Sequence, residues 1–269
     1  MLGNTMIGMH PEVHHSLRSL LHDESADDDL HRCEVGRTLY RIRCADSGGQ
    51  RSSASSLINR MYATRGYASR PLPDVSSPNR ITLVASDHES AVATLTIGFD
   101  SSDGLHADAL FCKEADALRQ AGRMVCEFTT LAMDHGVRSR RVLASLFNVA
   151  YICAHRVMGF DTLLIEVNPR HVLYYERMLG FKVMAPQRHS PRVGAPAVLL
   201  GINFSYIREQ GELLSGLSGL PGKGAERSLY PDWFSPLEEE AIFRRLTRSK
   251  ASAAKAALQP FEPLHLLQA

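Results

Sequence analysis

Long apolar runs are missing from this chain. None of its 269 residues falls in a stretch approaching the roughly eighteen consecutive apolar residues that a membrane-spanning helix requires. Residues 1–30 are rich in histidine and aspartate and hold no apolar core between a basic start and a small-residue cleavage site, so no secretory signal is visible. A charge excess is missing too. Lys plus Arg number 30 against 29 Asp plus Glu, a net charge of +1, which excludes bulk attraction to nucleic acid and leaves electrostatic recognition to local patches. The five cysteines, at 33, 44, 112, 126 and 153, are odd in number and never closely spaced. That argues against a zinc ribbon or a redox motif and for free thiols in a reducing compartment. His10, His14, His15 and His22 are scattered through a polar segment, so no metal centre is expected. Internal repeats are absent, and the single tryptophan stands at 233.

What is present is a hydrophobic fraction of 44%, ordinary for a chain that buries a real core. Residues 1–32 read as a poorly ordered extension. Residues 37–42 alternate as a strand, 45–53 (ADSGGQRSS) read as a loop, and 53–65 suit a helix. RITLVAS (80–86) and AVATLTIGFD (91–100) are β-branched and alternating, with a hairpin turn between them. Residues 107–120 carry a helical period stopped at Gly122, and RMVCEFTTLAM (123–133) returns to strand. Val142, Leu146, Ala150 and Cys153 lie on one face of a long helix that Ser139 caps and Gly159 stops. TLLIEV (162–167) is a buried strand, Asn168-Pro169 opens another helix, and Gly180 closes it. Strands follow near 181–185 and 197–204. Residues 211–224 read as flexible, and Ser235-Pro236-Leu237-Glu238 as a capping-box helix start. The expected organisation is an α/β domain with a mixed sheet over 33–208, followed over 209–269 by a linker and a helical C-terminal extension.

The order strand, basic loop, long helix, strand, helix over 131–181, ending in YYERMLGF, resembles the second half of a GNAT acyltransferase, where two parallel strands splay apart and admit a thioester's pantetheine arm. The segments GLHADALF, LRQAGRMVCEFTTLAMD and IEVNPRHVLYYERMLGF, followed by PRVGAPAVLL, are similar to the FeeM-like long-chain N-acyl amino acid synthases, relatives of the acyl-homoserine lactone synthases. The resemblance covers about residues 38–208 and implies a GNAT-like fold. It implies a bacterial, cytoplasmic transferase that takes a long acyl chain from acyl carrier protein to an amino-acid amine. No cofactor resides in such an enzyme, because the phosphopantetheine arrives on the carrier.

Glu127 is a carboxylate in an apolar strand, costly to bury unless it is partnered or faces a cleft. Alternation places it with Val125, Thr129 and Leu131, opposite Cys126, Phe128 and Thr130. The resemblance implies a catalytic glutamate here, beside the thioester, acting as base through a water; the bland alternative is a structural acid held by an arginine. Where the strands splay, around Leu131 and Met133, exposed backbone N–H groups would face the thioester oxygen. Tyr175 matches the GNAT tyrosine that protonates the leaving thiolate, or else packs helix on sheet. Acetyl-coenzyme A enzymes of the fold carry a glycine-rich turn where this chain has Arg138, Arg140 and Arg141. Those arginines suit a phosphopantetheine phosphate and an acidic carrier surface, or form a solvated helix start. Asp100 and Asp103 follow a strand and either meet the acceptor's ammonium or shape the turn. Cys126 lies on the face opposite Glu127 and reads as a buried thiol, and His171 has no assigned role. Three rival functions stay open, one of them a conventional GNAT enzyme using short acyl-coenzyme A, which the missing glycine turn disfavours. A lactone-type synthase expects an arginine where Thr130 stands, and a non-catalytic carrier-binding module would have no use for Glu127.

Overall fold

The computed structural model describes residues 32–257 except 36, 37, 69, 70, 75, 76, 78, 89, 138 and 218–227. The readings made for residues 1–31, for 218–224 and for Arg138 therefore lie outside the described residues, while 211–214, expected to be flexible, end the helix Phe204–Leu214. Strands β1 (Arg32–Val35), β2 (Thr38–Cys44), β3 (Arg80–Asp87), β4 (Ser90–Phe99), β5 (Val125–Met133), β6 (Thr162–Val167), β7 (Lys182–Ser190) and β8 (Ala195–Asn203) form one sheet in the order β1-β2-β3-β4-β5-β6-β8-β7. The β5–β6 pair is parallel and the other neighbours are antiparallel. Helices α1 (Gly48–Ala63) and α2 (Asp108–Gln120) cover one face, through clusters around Leu57 and Ile58 and around Phe111 and Ala115. Helix α3 (Arg140–Tyr151) covers the other and runs directly into a π-helical turn, Ile152–Val157. Helices α4 (Val172–Leu179), α5 (Phe204–Leu214) and α6 (Pro236–Ala257) complete the fold.

Two helices depart from the sequence reading. Helix α1 begins at Gly48, inside the expected loop, because Ser47 and Gln50 form a reciprocal capping box. That cap satisfies two end donors and outweighs the poor propensity of Gly48-Gly49. Helix α5 was overlooked, although Phe204, Ile207 and Gly211 recur at helical spacing and are buried. Ser139 does cap α3, its hydroxyl accepting from the Val142 amide at 3.3 Å. Gly180 ends α4 at φ +83°, and a Cβ there would lie 2.3 Å from the Tyr206 ring.

Helix α3 is buried at nine of its twelve positions, because the C-terminal segment covers the side the sheet leaves open. Tyr230, Trp233, Phe234, Ile242 and Leu246 belong to the same core cluster as the sheet and α3. The Asn148 side chain stitches them on: its Oδ1 accepts from the Phe234 amide at 3.1 Å and its Nδ2 donates to Glu239 at 3.2 Å. Arg156 pairs with Glu239 and Glu240 and stacks over Phe243 at 4.2 Å. At about 1.5–3 kcal/mol for each large apolar side chain buried, this segment is an integral stabiliser of α3.

The sheet is opened at its parallel pair. β5 and β6 share three rungs, Val125↔Thr162, Cys126↔Leu163 and Glu127↔Leu164, and then part, although both strands run on. The cause sits in β5. Thr129 pairs with Thr96 and Ala132 with Thr94, so three steps of β5 oppose two of β4, and Thr130 has the left-handed φ of +53°. This is a β-bulge, which bends a strand and ends regular pairing. It also reverses the alternation. Phe128 points into the α3 core, and beyond the bulge Leu131 and Met133 pack on that same core while Ala132 joins the α1 cluster. Leu131 therefore does not share the Glu127 face, as simple alternation had it.

Candidate active site

The gap between β5 and β6 holds a cavity of about 420 Å³, bordered by side chains from both faces of the sheet. On the α3 side its walls are apolar, with Phe128, Leu131, Met133, Leu143, Phe147 and Ile165. On the other side they turn polar, with Tyr62, Arg65, Glu166, His171 and Arg192. Thr130 and Leu131 at the bulge have no register partner in β4 or β6, so this part of the backbone lies outside the sheet's ladders and borders the cavity.

Tyr175, on α4, borders the same cavity, edge-on to Tyr174 and Phe181. Burial pushes its phenol well above the usual range, so the group holds its proton. Its hydroxyl makes no hydrogen bond with the described residues. Leu131, Met133 and Tyr175 thus border one cavity.

Glu127 stands elsewhere. It is 2% exposed and does not border the cavity. Its Oε1 accepts from Arg80 Nη1 at 2.8 Å and from the His106 amide at 2.7 Å, and its Oε2 from the Ala107 amide at 3.0 Å. Gly98 makes room for this pair, since a Cβ there would come within 2.8 Å of Arg80 Nη1 and 2.9 Å of Glu127 Oε1. Two backbone amides and a guanidinium satisfy the hydrogen-bonding needs of this buried carboxyl group. The bonds describe an acid that ties β5 and β3 to the segment leading into α2.

Asp100 is likewise engaged. Arg119 grips it with two bonds of 2.7 and 2.8 Å, and holds Asp108 and Asp116 as well. Asp103 accepts from Asn79 at 3.1 Å. Both acids shape the turn, and neither borders the cavity. Cys126 is a fully buried thiol whose pKa burial raises, as expected. Arg140 pairs with Asp232 and with the Ser228 carbonyl, which anchors the C-terminal segment. Arg141 is exposed and makes no hydrogen bond or ion pair with the described residues.

The polar wall was missed by the sequence reading. Glu166, 7% exposed, lies in β6 between Ile165 and Val167 and pairs with Arg192 at 3.1 Å. Burial pushes its carboxyl above the usual range, Arg192 opposes that, and nearby Glu127 adds to it. His171 Nε2 lies 3.3 Å from Arg65 and 3.2 Å from Arg170. Guanidinium nitrogens only donate, so Nε2 accepts and the ring is neutral. Burial, then the two arginines, lower its pKa. The signal for Glu166 was available, because an acid inside TLLIEV is as anomalous as one inside VCEFTTL.

A mixed sheet split at its parallel pair, with a bulged strand, a capped helix behind it and a part-apolar cavity in the gap, defines a GNAT-like acyltransferase. The family model described as N-acyl amino acid synthase FeeM matches residues 53–203. The chain belongs to that family and is an N-acyltransferase. Among solved structures it is similar to FeeM, an N-acyl amino acid synthase from uncultured soil microbes, with 26% identity and a TM-score of 0.59 over 64% of this chain and 95% of that one. More distant are the acyl-homoserine lactone synthase LasI (10% identity, TM-score 0.46, 62% and 91% covered) and an acyl-CoA N-acyltransferase from Pseudomonas aeruginosa (12%, 0.40, 60% and 97%). No curated protein matches. Among the described residues no helix is long and apolar enough to cross a membrane.

Proposed function

We propose that the protein moves a long acyl chain from the thioester of acyl carrier protein to the amine of an amino acid. The observation that carries this reading is the cavity at the β5–β6 gap, apolar toward α3 and polar toward α1. The apolar limb takes the chain, and the thioester sits at the bulge. There the backbone N–H groups near Leu131 and Met133 meet the oxyanion that forms as the amine attacks. Tyr175, held neutral by burial, donates its proton to the departing pantetheine sulfur. Glu127 acts as a positioning residue, keeping β5 in register up to the bulge through its bonds to Arg80 and to the amides of residues 106 and 107.

The choice of carrier over coenzyme A is supported by the turn before α3. The Gly136 amide donates to Asp134 Oδ1 at 2.8 Å, the Val137 amide to the Asp134 carbonyl at 3.2 Å, and the Val142 amide to Ser139. Three amides of a turn that would have to cradle a diphosphate at a helix N-terminus are thus already in use, beside the Asp134 carboxylate. A single phosphate approached by the exposed Arg141 demands less of the turn. Arg140 has its own structural partners, so the test uses Arg141→Glu. With acyl-carrier and acyl-coenzyme A donors of one chain length, kcat/KM should favour the carrier. The variant should raise KM for the carrier with kcat little changed, and rising salt should do the same, since exposed charges are screened beyond about 10 Å at 0.1 M. Equal use of both donors, with no effect of Arg141→Glu, would remove the carrier from the account.

A further inference from the structure

The polar wall of the cavity contains an ion pair, Glu166 with Arg192. Glu166 alternates with Ile165 and Val167, which belong to the α3 core, so its side chain faces the α1 and α2 side of the sheet. Its Oε2 accepts from Arg192 Nη2 at 3.1 Å, and its Oε1 has no partner among the described residues. A carboxylate only 7% exposed with one oxygen unfilled is unfavourable unless a donor reaches it, and the side from which a donor can come is the cavity it borders. Arg192 lies in the turn between β7 and β8, with Nη1 3.5 Å from His106 Nδ1. That leaves guanidinium N–H groups over for an anion.

We infer that the Glu166–Arg192 pair is the acceptor subsite, built to receive a zwitterionic α-amino acid with its ammonium on Glu166 Oε1 and its carboxylate on Arg192. An ion pair open to a cavity is a template for the inverse ion pair of a zwitterion. The inference rests on the N-acyl transfer proposed above and supplies the acceptor's place in it.

The proton and bond balance is complete. Glu166 takes one proton from the ammonium, and the freed amine attacks the thioester carbon. The C–N bond forms, the C–S bond breaks, and the sulfur leaves with a proton from Tyr175. The second nitrogen proton restores the tyrosine, and Glu166 returns its proton to solvent. The charged and titratable groups facing Glu166 are Arg192 from the β7–β8 turn and Glu127 from β5, with His106 next to Arg192. Tyr62 on α1, Arg65 just beyond it and His171 after β6 border the same cavity.

The test uses the full chain with an acyl-carrier donor and compares an amino acid, its carboxamide and its decarboxylated amine. Wild type should prefer the acid over both analogues by about tenfold to a hundredfold, the worth of a charge-assisted hydrogen bond. In Arg192→Gln that preference should fall toward one, with Arg192→Lys between the two. Glu166→Gln should reduce kcat/KM for all three amines by about a hundredfold or more near neutral pH, with the deficit shrinking as pH rises and free amine accumulates. Equilibrium binding of the amino acid without donor, followed by thermal shift, should weaken in both variants, and their melting curves separate this from loss of the fold. A wild type that acylates all three amines equally, or an Arg192→Gln that keeps the preference, overturns the subsite while leaving acyl transfer in place. A folded wild type that acylates none of them overturns the transfer reading, and the subsite with it.

Discussion

Replacing Glu127 with glutamine separates a structural acid from a catalytic one. Three donors converge on this carboxylate, Arg80 and the amides of His106 and Ala107. A glutamine keeps one acceptor oxygen and turns the other into a donor, so at least one of the three N–H groups faces an NH2, and Arg80 loses its counter-charge. Removing one partner of a buried ion pair costs about 3–5 kcal/mol. The lower end applies here, because Arg80 is 16% exposed and also donates to the Gly104 carbonyl at 3.4 Å. At about 2–4 °C per kcal/mol for a domain of this size, about 3 kcal/mol lowers Tm by about 6–12 °C. Gly98→Ala, which pushes a Cβ into the same pair, should act in the same direction. Differential scanning calorimetry gives Tm, and kcat/KM against pH at a temperature where the variant is folded gives the chemistry. The structural account predicts a large fall in Tm with a pH–rate profile of unchanged shape. A Glu127→Gln protein with wild-type Tm and turnover reduced a hundredfold would refute it and make Glu127 the base.

Two further perturbations probe the frame around the cavity. Trp233→Ala removes the ring that packs on Tyr151 at 5.5 Å and on Tyr230 at 4.8 Å. It should cost about 3–5 kcal/mol, read as a lower urea midpoint, and a loss below 1 kcal/mol would show that the C-terminal segment is dispensable. For His171 the lowered pKa fixes the sign. The stability it contributes is fully present above its ordinary value near 6.5 and is lost as pH falls through the folded value. Glutamine keeps an acceptor for Arg65 and Arg170 without titrating. His171→Gln should therefore flatten the decline in chemical stability as pH falls below about 6.5, and identical slopes would contradict the assignment.

The sequence made much of the frame legible, and the reason is local. Alternation in RITLVAS, the Ser139 cap and the Gly180 stop are each decided within a few residues. The splay of β5 from β6 followed from the family resemblance and holds in the pairing. What was hidden depends on distant partners. Arg80 lies 47 positions from Glu127 and Arg192 lies 26 from Glu166, so no window of sequence could say which acid is satisfied and which opens on the cavity. The bulge at Thr130 was equally hidden, because a threonine at positive φ gives no compositional sign. Its effect was to move Leu131 across the sheet. Arg119, 19 positions from Asp100, gave no such sign of its grip on that acid either.

We propose N-acyl transfer onto an amino acid at the split strand. It is tested most directly by mass spectrometry of the lipids extracted from a bacterial culture expressing the wild-type chain, set against one expressing Glu166→Gln at equal soluble level. The account predicts long-chain N-acyl amino acids in the first extract and a depletion of about a hundredfold in the second. An abundant, folded wild-type protein whose extract holds no N-acyl amino acid beyond the empty-vector background would contradict it.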